Sequence, residues 1–215
     1  MLYCNRYAFA RSPAFPIFAI SDSSWYTDSN VFLRVEGECM DFFEAVRRRY
    51  SHKEAFAPDA VPIEVLEQIA EAGLAAATGM NSQCVRLVIL PDRESVASLS
   101  DIAKNANFAT APAAIAVLTD SSAQGSKVNF EVEDYSAATQ SMLLAATALG
   151  YSALWLDSPF FHGKVHAEAL KALEVPPGYQ LKVVIPIGKP AGETARRPKK
   201  AFAERVSYKV FGGTK

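Results

Sequence analysis

The chain has 215 residues, half of them hydrophobic and 21% charged, and its formal net charge is −1 at pH 7. This composition is typical of a soluble globular protein and allows one sizeable domain. A net charge so close to zero excludes a general attraction to nucleic acids or anionic membranes, so we expect neither as a partner.

Three cysteines and three histidines are too few and too scattered for a disulfide framework or a zinc site. His162 and His166 lie four residues apart on a predicted helix, but no Cys or Glu completes a ligand set. We therefore expect no metal. No apolar run approaches the roughly 20 residues that a membrane-spanning helix needs, and a cytoplasmic location is the default expectation.

The first 39 residues mix aromatic, Ser and Pro residues without helical or alternating periodicity. A helix start follows, because Asp41 is a good N-cap and Glu44, three residues later, completes the pattern of a capping box. Met40 directly precedes this cap. We therefore expect Met40 to be a natural start, residues 1–39 to be an extension outside the core, and residues 40–215 to form the folded domain.

The rest of the sequence alternates between helical and strand patterns. Helices are predicted over 41–50, 61–77, 94–104, 134–150 and 164–175, and strands over 86–92, 113–120, 152–157 and 180–190. Residues 193–211 are a basic loop followed by either a helix or a strand. The helix at 134–150 is nearly all apolar and ends at Gly150, so it should be buried on most sides. This order predicts a layered α/β fold with a central sheet covered by helices.

Helical spacing also predicts which apolar side chains share a face. In the first helix these are Phe42, Phe43, Val46 and Tyr50. In the second helix they are Ile63, Leu66, Ile69, Ala70, Leu74 and Ala77.

Several common active-site motifs are missing from the sequence. There is no G-x-G-x-x-G, no G-x-x-x-x-G-K-[ST] and no G-x-S-x-G, and Cys84 has no neighbouring His. The acidic residues Glu131, Glu133 and Asp134 fit a solvated helix start better than an acid–base pair.

Polar residues instead gather in three islands, at 48–53 (RRYSHK), 77–83 (ATGMNSQ) and 195–200 (ARRPKK). The two basic islands could meet around one phosphate, because Arg offers a planar fork and Lys a mobile charge. The island rich in Asn and Gln suits the rim of a planar heterocycle. The alternatives are a basic triplet that complements a helix dipole and an ordinary polar loop.

Five stretches in order resemble the FMN-dependent nitroreductase family: RRYSHKEAF, VPIEVLEQIAEAGLAAATGMNSQ, NFATAPAAIAVL, AATQSMLLAATALGYSALWL and VIPIGKPAGE with a basic tail. The resemblance spans about residues 41–208. It implies a nitroreductase-like layered α+β fold, with a mixed or mostly antiparallel sheet flanked by helices, in a homodimer with FMN sites at the interface.

In that family an R-x-S-x-[RK] stretch grips the phosphate and ribityl chain of FMN. The resemblance implies that Arg49, Tyr50 and Ser51 contact the cofactor and that Lys53 reaches N1 and O2 of the isoalloxazine as the catalytic tuning residue. The interval from Ser51 to Phe56 is one residue longer than usual, so His52 is the alternative to Lys53 for this role. The C-terminal phosphate cation falls within Arg197, Lys199 and Lys200, with Lys200 the best placed.

The family's P-S-x-x-N-x-Q-P-W loop, supplied by the partner subunit, matches residues 77–85, with Cys84-Val85 in place of Pro-Trp. The resemblance implies that Thr78 and Gly79 lie against the flavin and that Asn81 and Gln83 also contact it. Further implied contacts are an amide from Asn105 or Asn107 at the flavin edge, a backbone N–H near Asp157 or Ser158 at N5, and a ribityl contact from Asp134.

The implied reaction is hydride transfer from NAD(P)H to FMN, followed by reduction of a nitroaromatic, a quinone or a similar acceptor in a ping-pong mechanism. Two alternatives stay open: other flavin chemistry on the same fold, such as dehalogenation or flavin breakdown, and a non-catalytic flavin-binding module. Nucleic-acid binding through the basic islands is disfavoured by the net charge.

Overall fold

The computed structural model describes residues 40–123, 129–160, 163–194 and 196–215. The predicted extension at 1–39 and His162 of the predicted histidine pair lie outside the described residues. His166, the other member of that pair, makes a local hydrogen bond, since its Nδ1 lies 2.7 Å from the carbonyl oxygen of Phe160.

The described residues form five α-helices and four strands, joined by turns and short 3-10 helices. The helices are α1 (Phe42–Arg48), α2 (Ile63–Leu74), α3 (Arg93–Ala103), α4 (Glu131–Ala148) and α5 (Gly163–Ala172). The strands are β1 (Val85–Leu90), β2 (Ala113–Asp120), β3 (Ser152–Ala153) and β4 (Tyr179–Gly188). No described helix is long and apolar enough to cross a bilayer.

The four strands form one sheet in the order β1-β2-β4-β3, and every pairing is antiparallel. The predicted layered fold with a mostly antiparallel sheet is therefore confirmed. Strand β2 is central, and its first seven residues are buried. Residues 113–118 are all apolar because the side chains on both faces of a covered central strand are buried away from water.

The sheet separates two layers of the core. Along β2, Ala113, Ile115 and Val117 pack with residues of α2 and α4, whereas Ala114, Ala116 and Leu118 pack with residues of α3 and α5. This alternation follows from the two-residue period of a strand. Helix α4 is exposed only at Val132, Glu133 and Gln140, as its apolar sequence predicts.

A bulge in β4 ties the start of α4 to the sheet. Val117 lies opposite Val183 and Leu118 opposite Leu181, so β4 carries one extra residue, Lys182. The Nζ of Lys182 lies 3.0 Å from the Glu131 carboxylate in the first turn of α4. This ion pair is mostly buried and fixes the beginning of α4 over the sheet.

Some element predictions were wrong in detail. The strand predicted over 152–157 is shorter, since only 152–153 form a ladder and Leu156 makes an isolated bridge to Val184. In α2, Leu66 and Ile69 are buried, but Ile63 and Leu74 are 42% and 59% exposed at the two helix ends. The final segment forms only a 3-10 turn at Phe202–Glu204 among its described residues.

Helix α1 begins where predicted but leaves its apolar face open. The Asp41 carboxylate accepts hydrogen bonds from the backbone N–H groups of Phe43 and Glu44. The Glu44 carboxylate, predicted to close a capping box, binds two arginines instead. Ala45 is the buried residue of this seven-residue helix, whereas Phe42 and Phe43 are 64% and 69% exposed.

We predict that Gly188→Ala destabilises the sheet. A Cβ at Gly188, which pairs with Ser152, would lie 2.7 Å from Cδ of Pro112 and 2.9 Å from the ring of Phe56. Both neighbours are rigid rings, so the expected loss in the free energy of unfolding is about 1–3 kcal/mol, measured by urea denaturation.

The matched control is Gly192→Ala, because a Cβ at Gly192 meets nothing within 4 Å. Equal urea midpoints for the two variants would contradict the prediction.

Candidate functional site

The two basic islands of the sequence meet at one cavity, which we call the anion cavity. Its volume is about 620 Å³. One wall comes from Arg47, Arg49, Tyr50, Ser51, Lys53 and Glu54, and the other from Arg196, Arg197, Pro198 and Lys199. Residues from both ends of the domain therefore line one cavity, and their predicted role at a phosphate stays a prediction.

The first wall is an extended segment that continues the sheet at the β3 edge. At the end of helix α1, the N–H of Arg49 donates a hydrogen bond to the carbonyl oxygen of Ala45 at 2.8 Å. Ser51 then forms a parallel bridge with Ala153, and the N–H of His52 donates to the Ala153 carbonyl at 3.1 Å. In an extended segment successive side chains point in opposite directions.

This alternation distinguishes Lys53 from His52. Ser51 and Lys53 are exposed and line the anion cavity, whereas His52 is fully buried, with its ring centroid 4.3 Å from that of Phe56. The additional residue between Ser51 and Phe56 thus leaves the lysine facing the cavity. The role of Lys53 toward a flavin stays a prediction.

A partly buried polar network lies on the side of the first wall that faces away from the anion cavity and supports it. The Tyr50 hydroxyl lies 2.8 Å from Oγ of Ser152 and 3.3 Å from Nδ1 of His52. Nε2 of His52 lies 3.2 Å from the carbonyl oxygen of Ala55 and donates to it, because a carbonyl can only accept. These contacts fix the Tyr50 ring before any ligand binds.

The second wall rests on the first through Arg196. Its guanidinium lies 5.1 Å from the centroid of the Tyr50 ring, which is a cation–π contact. The contact brings the C-terminal basic segment over the extended segment. Arg196 belongs to the basic island at 195–200, but it was not among the residues that the resemblance implied for the cofactor site.

The charge of the anion cavity is strongly positive. Arg47 is paired with Glu44, and hydrogen bonds from Arg47 and Arg48 lower the pKa of Glu44. Five other lining cations form no ion pair with any described residue: Arg49, Lys53, Arg196, Arg197 and Lys199. Such a cluster of available donors fits a phosphate group.

The structure favours particular members of two predicted sets. Arg197 and Lys199 line the anion cavity, whereas Lys200 is not among its lining residues. The Asn107 amide donates to the backbone carbonyl of Lys53, while the Asn105 side chain accepts from the Phe108 N–H at 2.9 Å and caps a short 3-10 turn. Asn107 is therefore the amide that lies beside the first wall.

The island at 77–83 lies elsewhere in the chain. Thr78 and Gln83 line a second, smaller cavity of about 170 Å³, together with residues of α2, α4 and β1. Among the described residues of one chain, the structure does not join this cavity to the anion cavity. The two predicted halves of the flavin site are thus separate within a single protomer.

The loop at 78–83 has an unusual backbone. Met80, Asn81 and Gln83 have φ angles of 55°, 54° and 47°, in the left-handed region that costs most residues about 1–2 kcal/mol. The N–H of Gly79 and the hydroxyl of Ser82 both donate to the Asp134 carboxylate at 2.7 Å. Asp134 is 1% exposed, so in the described chain it lies inside the protein.

The chain segment after β3 forms an aromatic corner. The indole N–H of Trp155 donates to the Asp157 carboxylate at 2.9 Å, and the Trp155 ring packs near Tyr135 of α4. Burial, followed by the charges of Asp157 and Glu131, raises the pKa of Tyr135, which keeps its phenol neutral. Ser158, the other residue predicted at this corner, is exposed.

The comparisons with known proteins identify the class of protein. The family model for the nitroreductase family matches residues 46–121 and 98–189, and the chain belongs to this family. A Methanothermobacter thermautotrophicus protein named "Putative NADH dehydrogenase/NAD(P)H nitroreductase" is 29% identical over 172 residues, covering 78% of this chain and 87% of the relative. The predicted family and its oxidoreductase class are confirmed.

Solved structures share the fold. The Desulfovibrio desulfuricans structure of a "putative nitroreductase in complex with fmn" is 30% identical, with a TM-score of 0.63, and the match covers 79% of this chain and 97% of that one. An FMN-dependent nitroreductase of Clostridium difficile R20291 is 22% identical with a TM-score of 0.67, and the match covers 78% and 98% of the two chains.

Proposed function

We propose that the protein is an FMN-dependent oxidoreductase that takes hydride from NAD(P)H and reduces nitroaromatics, quinones or similar acceptors. The observation that carries this proposal is the anion cavity, in which five available cations and Ser51 meet in a protein of net charge −1. Family membership and the FMN named in a 30% identical structure support the identity of the cofactor.

The residues present fit an FMN phosphate. Arg49, Arg197 and Lys199 would bind the phosphate oxygens, with the Ser51 hydroxyl as a further donor. The fixed Tyr50 ring would support the ribityl end, because its hydroxyl is already bonded to Ser152. Orienting the cofactor in this way costs little, since the wall is ordered beforehand.

FMN, when bound, supplies the chemistry of accepting hydride at N5 and passing electrons onward. The protein itself contributes to that chemistry through its electrostatics. Lys53 faces the cavity, and a cation near N1 and O2 favours the negative charge that develops on reduction. The Asn107 amide, bonded to the Lys53 carbonyl, holds the backbone that carries this lysine.

The complete site belongs to a homodimer in this proposal. The loop at 78–83 and the anion cavity are separate within one chain, so a partner's loop would complete each site across a two-fold axis. Exposed apolar side chains support a large interface: Phe42 and Phe43 in α1, and Phe202, Val210 and Phe211 near the C-terminus. Patches of this kind mark protein contacts.

We predict that the purified protein is yellow and bleaches on anaerobic addition of NADH or NADPH. Absorbance spectra before and after addition measure both properties. Bleaching reversed by a nitro compound or a quinone, with parallel lines in double-reciprocal plots, would support the ping-pong reductase.

Colour without bleaching would favour the flavin-binding module or another flavin reaction. A colourless protein that takes up no added FMN would defeat the proposal. Sedimentation of the loaded protein tests the dimer separately.

A further inference from the structure

We propose that Asp134 is a positioning residue that sets the flavin loop at 78–83 for the partner's site, rather than a residue that contacts the ribityl chain. This inference rests on the proposed function. It arises from a buried carboxylate whose two oxygens both accept hydrogen bonds from this loop.

The Asp134 carboxylate uses both oxygens on this loop and its end. Oδ1 accepts from the Gly79 N–H at 2.7 Å, and Oδ2 accepts from the Ser82 hydroxyl at 2.7 Å. The Cys84 thiol lies 3.4 Å from Oδ2 and donates to it. One side chain thus holds the second and fifth residues of the loop and Cys84, which directly follows it.

The backbone of the loop explains why an anchor is needed. Three residues without the freedom of glycine, Met80, Asn81 and Gln83, adopt left-handed conformations between the anchored positions. Such conformations persist only where surrounding contacts enforce them. Loss of the carboxylate would therefore let the loop relax to a different shape.

Two further features favour the contact between the Asp134 carboxylate and this loop. Asp134 lies in the first turn of α4, where the helix dipole favours a negative charge. The loop is also pressed against the same helix start, since a Cβ on Gly79 would lie 2.2 Å from the ring of Phe130. The carboxylate and the close backbone approach together set the position of Thr78 and Gly79.

The site geometry gives a test in trans. In the proposed dimer, each flavin site combines the anion cavity of one protomer with the 78–83 loop of its partner. An Asp134→Ala subunit keeps an intact anion cavity, and an Arg49→Ala subunit keeps an intact loop. A mixed dimer of the two variants therefore rebuilds one complete site from the intact halves.

The experiment measures FMN binding by fluorescence quenching in Asp134→Ala, in Arg49→Ala and in their differently tagged, co-purified mixed dimer. We expect at least tenfold weaker binding in each homodimer and one tight FMN per mixed dimer. Recovery in trans excludes general unfolding of the Asp134→Ala subunit. No recovery would overturn the inference, because it places Asp134 at the flavin of its own cavity.

Two controls complete the design. Glu133→Gln removes an exposed neighbouring carboxylate and should leave FMN affinity unchanged. In Asp134→Ala, mass spectrometry should show faster alkylation of Cys84, which is fully buried in the native protein. Unaltered alkylation together with wild-type affinity would also overturn the inference. Wild-type protein that binds no FMN would instead defeat the proposed function itself.

Discussion

Arg49→Ala should weaken FMN binding about 10- to 100-fold, because a charge-assisted hydrogen bond contributes roughly 1.5–3 kcal/mol and each 1.4 kcal/mol is a factor of ten. Arg49 lines the anion cavity and forms no ion pair with another described residue, so its guanidinium is available for the phosphate. Fluorescence titration of apoprotein with FMN measures the effect.

Arg48→Ala is the matched control. Arg48 is the adjacent residue and pairs with Glu44, but it is not among the residues that line the anion cavity. Arg49→Lys should fall between alanine and the native residue, because lysine keeps the charge and loses the planar fork. Similar FMN affinities for Arg48→Ala and Arg49→Ala would count against the phosphate role.

Lys53→Ala should slow reduction of bound FMN by about tenfold while the cofactor stays bound. Removal of a preorganised donor in a closed site costs about 10²–10³ in rate, and the exposure of Lys53 in the single chain reduces that expectation. Anaerobic stopped-flow mixing with NADH or NADPH, at saturating FMN, gives the rate constant of reduction directly.

Lys53→Arg should keep most of the rate, because the positive charge remains at the cavity. Lys164→Ala, which removes an exposed lysine of α5, should have no effect. Native reduction kinetics in FMN-loaded Lys53→Ala would remove Lys53 from the tuning role.

Much of the fold could be predicted because local patterns and burial agree. The run AAIAVLTD is β2 from its first to its last residue, since a central strand is apolar on both faces. Gly150, predicted to follow the end of α4, has a φ of 81°, a conformation that glycine adopts without strain. These elements depend on the chain's own periodicity and need no knowledge of distant neighbours.

Helical spacing predicted which apolar residues share a face, but it did not predict which of them are buried. Phe42, Phe43 and Val46 share a helical face, yet helical spacing cannot say whether the same chain covers that face. Ile63 and Leu74 lie at the two ends of α2, beyond the part that α4 and the sheet cover. Helical periodicity predicts the direction in which a side chain points but not which residues it contacts.

The candidate site likewise combines features that local sequence patterns predict with features that depend on distant residues. The union of the two basic islands followed from the chemistry of phosphate binding, but the pairing of Arg196 with Tyr50 spans 146 positions and leaves no local signal. The buried position of His52 could have been found from strand alternation, had the helix not been predicted to continue to Tyr50. The anchoring contacts of Asp134 join two distant segments. Acidic residues are common at a helix start, so the sequence gives no sign of these contacts.

The anion cavity has a consequence for biosynthesis. Its walls come from residues 47–54 and 196–199, whereas the last strand of the sheet already ends at Gly188. Because a chain is made from its N-terminus, the four described strands have been synthesised before the second wall. In the proposed function FMN would therefore bind late in maturation, and a chain truncated just after β4 would retain the four described strands but lack the cations of the second wall.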